Sequence, residues 1–350
     1  MSNPENRVAV ALSGGVDSAV AAALLQRQGF KVVGVHLKLS ALGPTQERVA
    51  ALARHLGLPL KVVDLREDFS RQVVAYFMAE YCRGRTPNPC VACNAAIKFG
   101  RLFKVLEAEG LTHLATGHYA RLKPDPQGAP GLYRGADRHK DQSYFLCRLP
   151  RKILGRLHFP LGDLTKTQVR ARYVEMGLPP VAGYRESQEL CFVPAGRYHE
   201  FIRRQGGCAN SPGDLVDPQG NLLGRHRGLE HYTVGQRRGL GVPARQPYYV
   251  VDIQPEANRV VLGRRHDLLS QGLLASQVNW LIQPPAGELT ATAVIRYRHP
   301  GVEAKISLIT PQQVQVIFAT PQAAVAPGQA VAFYHHDQLL GGAWIEARIR

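Results

Sequence analysis

One short segment near the start of the chain, Ser13-Gly14-Gly15-Val16-Asp17-Ser18, restricts the fold more than any other. It follows an apolar run at residues 8–12 and precedes a strongly helical stretch at 19–25. A strand, a glycine turn and a helix N-terminus together direct backbone N–H groups at an anion. The segment matches neither G-x-x-x-x-G-K-[ST] nor G-x-G-x-x-G. It therefore predicts a phosphate site of another type, the alternative being a glycine turn that binds nothing.

Along the rest of the chain the pattern of apolar and turn residues changes at two places. Apolar runs alternate with helical stretches up to residue 203, which predicts an α/β domain with a doubly wound parallel sheet. Short segments bounded by turn residues predict a small β-rich domain over 204–271. Alternating apolar runs predict a barrel or sandwich over 272–350. The segment 83–94, with two prolines, a glycine and two cysteines, predicts a functional loop without regular structure.

Charge and composition bear on the partner and the compartment. Lys and Arg number 43 against 27 Asp and Glu, a net charge of +16, which favours a polyanion such as nucleic acid, although basic surfaces also serve solubility. Six cysteines in 350 residues are too few for a disulfide scaffold, so those that cluster predict metal or catalytic roles. No apolar run approaches the ~18 to 20 residues that span a bilayer, and the start lacks a signal peptide's apolar centre. We expect a cytoplasmic protein.

Two segments that contain cysteines, taken together with the 13–18 segment, reduce the number of functions that the sequence allows. The 13–18 segment resembles the loop of N-type ATP pyrophosphatases, which holds the pyrophosphate part of ATP while AMP is transferred. Six further motifs occur along the chain: Thr86-Pro87-Asn88-Pro89-Cys90-Val91-Ala92-Cys93-Asn94, Thr116-Gly117-His118-Tyr119, Lys140-Asp141-Gln142-Ser143-Tyr144-Phe145, Ser187-Gln188-Glu189-Leu190-Cys191-Phe192, Gly235-Gln236-Arg237-Arg238-Gly239-Leu240-Gly241 and Arg296-Tyr297-Arg298. With these motifs the chain resembles, from about residue 7 to residue 345, the tRNA-specific 2-thiouridylases of that superfamily.

This resemblance implies a domain plan and a reaction. Residues 1–203 would form an ATP-pyrophosphatase catalytic domain (adenine nucleotide alpha hydrolase-like), 204–271 a central tRNA-binding domain and 272–350 a C-terminal β-barrel. The implied enzyme is a tRNA-uridine 2-sulfurtransferase, which replaces O2 of the wobble uridine (U34) by sulfur and gives 2-thiouridine. Adenylation of O2 makes that oxygen a leaving group, and a cysteine persulfide then delivers sulfur.

The catalytic cysteines follow from the same resemblance. The persulfide position maps onto Cys191 and the second catalytic cysteine, a nucleophile, onto Cys93. Sulfur transfer would leave a Cys93–Cys191 disulfide, which external thiols reset. Because the reactive form of sulfur is the thiolate, we expect both residues to be partly exposed and near positive charge from Lys98, Arg185 or Arg197.

The sequence departs from its relatives at two places. Many relatives have Asp at the position of Cys90, which helps to activate the neighbouring cysteine, so Cys90 cannot be assigned that role. Cys90, Cys93 and Cys191 would also suffice to ligate a [4Fe-4S] cluster with one open iron, or zinc, a reading that competes with the persulfide route. An acidic, cysteine-containing insertion common after Leu37 is absent from residues 38–44.

Further site residues are carried by the resemblance alone. The target-base region is Asn88, Pro89 and Cys90, and Asp17 is a candidate ligand of Mg²⁺ beside the phosphates. The ATP-binding residues are Ala11, Leu12, Ser13, Gly14, Gly15, Val16, Asp17, Ser18, Leu37 and Gly117. The tRNA-binding residues are His118, Lys140, Asp141, Gln142, Arg296, Tyr297 and Gln329, among which cations suit phosphates and Tyr suits an unpaired base.

The resemblance also implies partners. These are a tRNA of the Lys, Glu or Gln type and a cysteine desulfurase or sulfur-relay protein as sulfur donor, with the enzyme acting as a monomer.

Two rival functions explain less of the sequence. A small-molecule synthetase of the same class would not account for the charge of +16 or the cysteine segments. An RNA-binding or iron–sulfur carrier protein would leave the intact 13–18 segment unexplained.

Overall fold

The computed structural model describes residues 6–179, 190–194, 198–206 and 211–350. The α-helices in these ranges are α1 (Val16–Arg27), α2 (Gln46–His55), α3 (Arg66–Phe69), α4 (Ala75–Cys82), α5 (Pro89–Cys93), α6 (Leu102–Glu107), α7 (Lys166–Glu175) and α8 (Tyr198–Arg204). π-Helical segments follow α3 at Ser70–Val74 and α5 at Asn94–Arg101. Short 3₁₀ helices lie at Ser143–Leu146, Arg151–Arg156, Leu229–His231 and Arg265–Leu268.

The strands in these ranges are β1 (Arg7–Ala11), β2 (Lys31–Lys38), β3 (Leu60–Asp64), β4 (Leu114–Ala115), β5 (Ala120–Pro124), β6 (Pro130–Arg134), β7 (Leu157–His158), β8 (Gly213–Val216), β9 (Leu222–His226), β10 (Tyr249–Gln254), β11 (Arg259–Gly263), β12 (Leu269–Trp280), β13 (Leu289–Val294), β14 (Val302–Thr310), β15 (Gln313–Ala323), β16 (Ala330–His335) and β17 (Gln338–Ile349). The chain divides into two compact units. The first unit comprises Met1–Gln72, Cys90–Pro194 and Asp337–Leu340, and the second comprises Val73–Pro89, Ala195–His336 and Gly341–Arg350.

The first unit contains a parallel sheet with the strand order β3-β2-β1-β4-β7. Its central strand β1 is fully buried at Val8 and Val10 on one face and at Ala9 on the other, as expected of a strand covered on both faces. The alanine-rich helix α1 is also buried on two sides, because Ala22 belongs to the core cluster on the sheet and Ala19 to a second cluster with α7. The predicted doubly wound α/β fold is confirmed, and the carboxyl ends of its strands are where such folds bind ligands.

A hairpin in the same unit was not predicted. Strands β5 and β6 pair in antiparallel fashion, and β6 also pairs with the first residues of β17, where Leu132 lies opposite Leu339. The contact joins residues more than 200 positions apart in sequence, so no local pattern indicates it.

The second unit contains two β structures. A small sheet has the order β10-β11-β8-β9. Six strands in the order β12-β15-β14-β13-β16-β17 form a barrel that is closed by pairing of β12 with β17. These confirm the predicted β-rich middle region and C-terminal barrel, whereas the boundaries at 203/204 and 271/272 stay predictions.

The expectation that 83–94 has no regular structure is wrong from Pro89 onward. Pro89 is the first residue of α5, where its missing N–H removes no helical hydrogen bond and its fixed φ favours the helix. The helix continues into the π-helical segment, and the apolar side chains of Val91, Ile97 and Phe99 are buried. Helix initiation by proline therefore outweighs the turn signal of the two prolines. None of the helices in the described ranges is both long and apolar enough to cross a membrane.

Candidate functional site

The 13–18 segment forms a tight turn between β1 and α1. Gly14 has a φ of +69°, a left-handed conformation that favours glycine, and Gly15 is an extended N-cap whose helix receives no side-chain cap. Ser18 closes the turn, because its Oγ donates to the Gly15 carbonyl at 3.0 Å and accepts from the Ser13 N–H at 3.2 Å. The first N–H groups of a 12-residue helix are thus left without a side-chain acceptor, an arrangement suited to an anion.

Gly117 lies directly against this turn. A Cβ atom at Gly117 would come within 2.9 Å of the Asp17 carbonyl carbon and 3.1 Å of the Asp17 Cβ, so only glycine allows this approach. Leu37, half-buried, lies near the end of β2, and β2 is the parallel neighbour of β1. The structure thus brings the residues predicted to bind ATP to one edge of the sheet.

Lys166, which sequence reasoning missed, makes an ion pair with Asp17. Its Nζ donates to both carboxylate oxygens, at 2.7 Å to Oδ1 and 2.8 Å to Oδ2, and the Tyr119 hydroxyl donates to Oδ1 at 2.7 Å. The lysine side chain is only 9% exposed. A capping box between Thr165 and Gln168 begins α7 at Lys166, and this pattern could have located the helix start but not the ion pair.

A second unpredicted cation lies beside the turn. The Nε of Arg48, on α2, is 3.5 Å from the position that a Cβ at Gly14 would occupy. Helix α2 is held in place by its N-cap Thr45, whose side chain accepts from the Arg48 N–H at 3.4 Å. The phosphate turn therefore has two basic side chains close to it, which suits a polyanionic ligand.

The three cysteines form one electrostatically coupled group with Lys98. Each thiol has a raised pKa, chiefly because burial disfavours the thiolate, and the Lys98 ammonium opposes that shift at all three. The charge of Cys191 raises the pKa of both Cys90 and Cys93, so these thiols lie close enough to influence one another. The charge of Cys191 therefore acts on both Cys90 and Cys93, whereas the Cys93–Cys191 disulfide and the catalytic roles stay predictions.

Exposure differs among these cysteines. Cys90 and Cys191 are exposed residues, although protein surrounds their sulfur atoms closely enough for desolvation to dominate the pKa shift. The expectation of a partly exposed Cys93 is wrong, because this residue is buried and burial raises its pKa to about 12. Lys98 is the positive charge near the thiols, whereas Arg185 and Arg197 lie outside the described residues.

Cys191 is also linked to the sheet. Its carbonyl accepts a hydrogen bond from Ser40 Oγ at 3.3 Å, and Ser40 lies two residues beyond the end of β2. The next residue, Phe192, packs edge-on against Phe69 with ring centroids 5.4 Å apart. Cys191 is thereby held at the edge of the sheet at which β1 leads into the phosphate turn.

Metal binding has little support in the structure. Within the part of the chain that is described, no three or more His, Cys, Asp or Glu side chains are grouped so that they could hold a metal ion. The iron–sulfur and zinc readings of the three cysteines therefore lack structural support. Asp17, the candidate ligand of Mg²⁺, already has both carboxylate oxygens bound by Lys166, so it does not offer a preformed cation site.

Several predicted tRNA contacts in the first unit are engaged within the protein. The buried carboxylate of Asp141 accepts from the N–H groups of Gly135 and Ser143 at 2.9 and 3.1 Å. Gln142 Oε1 accepts from the Tyr119 N–H at 3.1 Å. Burial lowers the pKa of His118 to about 3, so its ring is neutral at neutral pH. The half-buried Lys140 lies beside them in sequence.

The residues of the second unit that are predicted to contact tRNA differ in their exposure. Arg296 is exposed and donates to the Ala323 carbonyl at 3.2 Å, and Tyr297 is half-buried with the Arg298 guanidinium 5.6 Å from its ring centroid. Asn88 is buried, and its Nδ2 donates to Gln329 Oε1 at 3.4 Å. Arg296 is thus exposed and Tyr297 half-buried, whereas Asn88 and Gln329 bind each other.

Comparison with known proteins agrees with this architecture. The family model described as tRNA methyl transferase HUP domain matches residues 6–195, tRNA methyl transferase PRC-barrel domain matches 199–264, and aminomethyltransferase beta-barrel domain matches 270–345. The chain is 46% identical over 360 residues to a tRNA-specific 2-thiouridylase MnmA of Carboxydothermus hydrogenoformans, covering 98% of each chain. Proteins of the same name from Geobacter metallireducens and Pelobacter propionicus are 44% and 43% identical, with 97% and 98% of each chain covered.

Proposed function

Because the chain belongs to the family of tRNA-specific 2-thiouridylases, we propose that it is a tRNA-uridine 2-sulfurtransferase that converts the wobble uridine U34 to 2-thiouridine. The observation that carries the proposal is the hydrogen bond from Ser40 to Cys191, which holds this cysteine at the edge of the sheet where the phosphate turn lies. Thiolation needs both an activated nucleotide and a sulfur carrier at one place. The net charge of +16 further supports a nucleic-acid substrate.

The phosphate turn supports the first step, adenylation of the uridine. In this step O2 of uracil forms a bond to the α-phosphorus of ATP, the α–β phosphoanhydride bond breaks, and pyrophosphate leaves with the electron pair. The uncapped N–H groups of α1 would bind the pyrophosphate, and Arg48 beside Gly14 would offset its charge. Lys166 fixes Asp17 and with it the first turn of α1.

The cysteines support the second step, in which sulfur replaces oxygen. The terminal sulfur of a persulfide on Cys191 attacks C2. Cys93 then forms a bond to the Cys191 sulfur, the S–S bond of the persulfide breaks, and its electron pair stays on the sulfur bound to C2. AMP departs with the former O2, which leaves the C=S of 2-thiouridine and a Cys93–Cys191 disulfide. A thiol reductant resets the enzyme.

The remaining requirements are a metal and a sulfur donor. Mg²⁺ suits oxygen ligands and would be held mainly by the phosphates of ATP, since Asp17 is paired with Lys166. The donor is a cysteine desulfurase or a sulfur-relay protein, which must reach the exposed Cys191. Asn88, Pro89 and Cys90 are proposed to meet the base, and Arg296 and Tyr297 to contact the RNA.

A single-turnover assay tests this function. Undermodified tRNA, ATP and a sulfur donor are mixed with enzyme, and 2-thiouridine is measured by mass spectrometry of the digested RNA. Cys191→Ser should form no 2-thiouridine but should still adenylate the RNA, and Gly14→Val should lose adenylation because valine strains the left-handed turn. Cys147→Ala is the control, since Cys147 is a buried cysteine without a proposed role.

Two results would contradict the proposal. Normal thiolation by Cys191→Ser would exclude the persulfide on this residue, and normal adenylation by Gly14→Val would exclude the phosphate turn. Iron and sulfide quantitation after anaerobic purification tests the competing cluster. Stoichiometric iron that supports activity and is lost in Cys90→Ala would replace the persulfide route.

A further inference from the structure

The side chain of Gln329, assigned above to tRNA by resemblance, is bound to the segment that precedes α5. Its Nε2 donates to the carbonyls of Thr86 and Pro87, at 3.0 and 3.1 Å, while its Oε1 accepts from Asn88 Nδ2 at 3.4 Å. Both ends of the amide are thus used within the second unit. An amide with this donor and acceptor pattern is oriented by three residues in succession.

The backbone around Gln329 holds the same segment. The Thr86 N–H donates to the Pro327 carbonyl at 2.8 Å. Gly328 has a φ of +89°, and a Cβ there would lie 2.9 Å from the Thr86 carbonyl oxygen, so glycine is required at this crossing. The Tyr76 hydroxyl donates to the Gly328 carbonyl at 3.3 Å and accepts from the Asn88 N–H at 3.4 Å.

Arg85 fastens the start of the segment. Its Nε donates to Glu80 at 2.7 Å, its Nη1 to Glu346 at 2.6 Å and its Nη2 to the Ile345 carbonyl at 3.2 Å. The planar guanidinium makes these three bonds from three separate nitrogens, a fixed fork that the single nitrogen of a lysine does not reproduce. The Gly328 N–H also donates to Ile345, so the same stretch of β17 supports both attachments.

We propose that Gln329 is a positioning residue: with Arg85 and Glu346 it forms a clamp that fixes residues 85–88 and hence the start of α5. The inference rests on the proposed function, because residues 88–90 are the proposed base-contacting segment and α5 carries Cys93. The clamp determines the positions of Asn88 and Pro89 when the uridine binds. Gln329 therefore acts on the reaction through the loop that it holds.

The test separates the rate of thiolation from the affinity for tRNA. In Gln329→Met the side chain keeps its length but loses all three hydrogen bonds without adding charge. In Gln329→Glu a carboxylate oxygen replaces the amide N–H₂ group and faces the Thr86 and Pro87 carbonyls. We expect both variants to lower the single-turnover rate at saturating tRNA at least about tenfold, with less than a threefold change in the dissociation constant of tRNA.

A matched control is Gln313→Glu. Gln313 is exposed in the same barrel on β15, so this substitution adds the same negative charge without touching the clamp. It should leave the saturated rate at the wild-type value. Weaker tRNA binding of tenfold or more in Gln329→Met, with an unchanged saturated rate, would show a direct RNA contact and overturn the proposal. Unchanged rate and affinity in both Gln329 variants would overturn it as well.

A second readout does not depend on thiolation. Hydrogen exchange of the Thr86 and Asn88 amides, measured in the protein without ATP or RNA, should become at least about tenfold faster in Gln329→Met and stay unchanged in Gln313→Glu. If the wild-type protein forms no 2-thiouridine, the proposed function fails while exchange still tests the clamp. Unchanged exchange in Gln329→Met would refute the clamp whatever the activity.

Discussion

Replacing Lys166 by methionine removes the ammonium group that binds both carboxylate oxygens of Asp17. Methionine keeps most of the hydrocarbon stem, so packing around the side chain changes little. The Lys166 side chain is 9% exposed and that of Asp17 25%, which means that the carboxylate left behind is only partly hydrated. The Tyr119 hydroxyl remains as its one hydrogen-bond donor among the three contacts at this carboxylate.

The loss of local stability in Lys166→Met can be worked out from these contacts. Hydrogen bonds to charged groups contribute about 1.5–3 kcal/mol each, and stranding one partner of a fully buried pair costs about 3–5 kcal/mol. Because Asp17 keeps one donor and partial access to water, we expect a loss of about 2–3 kcal/mol in the local stability of α1. Asp17→Asn combined with Lys166→Met strands no charge and should lose only about 1 kcal/mol.

Native-state hydrogen exchange of the α1 amides measures this local stability without assuming that both units unfold together. A loss of about 2–3 kcal/mol corresponds to exchange about 30- to 150-fold faster in Lys166→Met. The double variant should recover most of that protection. Lys152→Met is the control, since Lys152 is an exposed lysine of the same unit.

Two outcomes would refute the reasoning. Unchanged α1 exchange in Lys166→Met would mean that the ion pair does not stabilise the first turn of the helix. A double variant that loses as much as the two single variants together would mean that Asp17 and Lys166 act independently.

Three further predictions concern charge and close packing. Lys98→Met should raise the pKa of Cys191, because the ammonium lowers it in the wild type, so alkylation of this cysteine by iodoacetamide at neutral pH should slow several-fold; an unchanged pH profile would contradict this. Gly117→Ala should weaken ATP binding at least about tenfold, because the added Cβ would meet Asp17. The control Gly287→Ala should not change the affinity, since a Cβ there meets no atom within 4 Å. Equal ATP affinities of the two variants in calorimetry would refute the argument from close packing between Gly117 and Asp17. The His118 ring, whose pKa is lowered to about 3, should stay neutral in the folded protein until the pH falls to that value. Because an unfolded histidine binds a proton near pH 6.5, the contribution of His118 to stability is lost as the pH falls from about 6.5 towards 3. An NMR titration midpoint near pH 6.5 for this ring would contradict the prediction.

The parts of the fold that the sequence predicted are those encoded by neighbouring residues. An apolar run, a glycine turn and an alanine-rich helix are contiguous, so the strand–turn–helix unit around Gly14 is evident from the pattern alone. The partners of that unit are not contiguous with it. Lys166 is 149 residues from Asp17, and no local signal links a helix-starting lysine to a distant carboxylate.

The cysteine region shows a different limit of sequence reasoning. The family resemblance implies that Cys93 and Cys191 act together, which stays a prediction, and the role of a nucleophile implies an exposed Cys93. The burial of Cys93 is set instead by α5 and the π-helical segment that follows it, because their apolar residues Val91 and Ile97 are buried. A role at the site therefore does not predict accessibility.

The burial of Cys93 has a consequence for the order of the proposed chemistry. Burial raises the pKa of Cys93 to about 12, so the neutral thiol predominates at neutral pH. Attack on a persulfide requires the thiolate, so a Cys191 persulfide can persist beside Cys93 without collapsing to the disulfide. Cys191 is an exposed residue, so a sulfur donor can reach it although burial also raises the pKa of its thiol. In the proposed reaction, the neutral Cys93 thiol keeps sulfur loading apart from sulfur release, and we expect deprotonation of Cys93 to follow adenylation of the uridine.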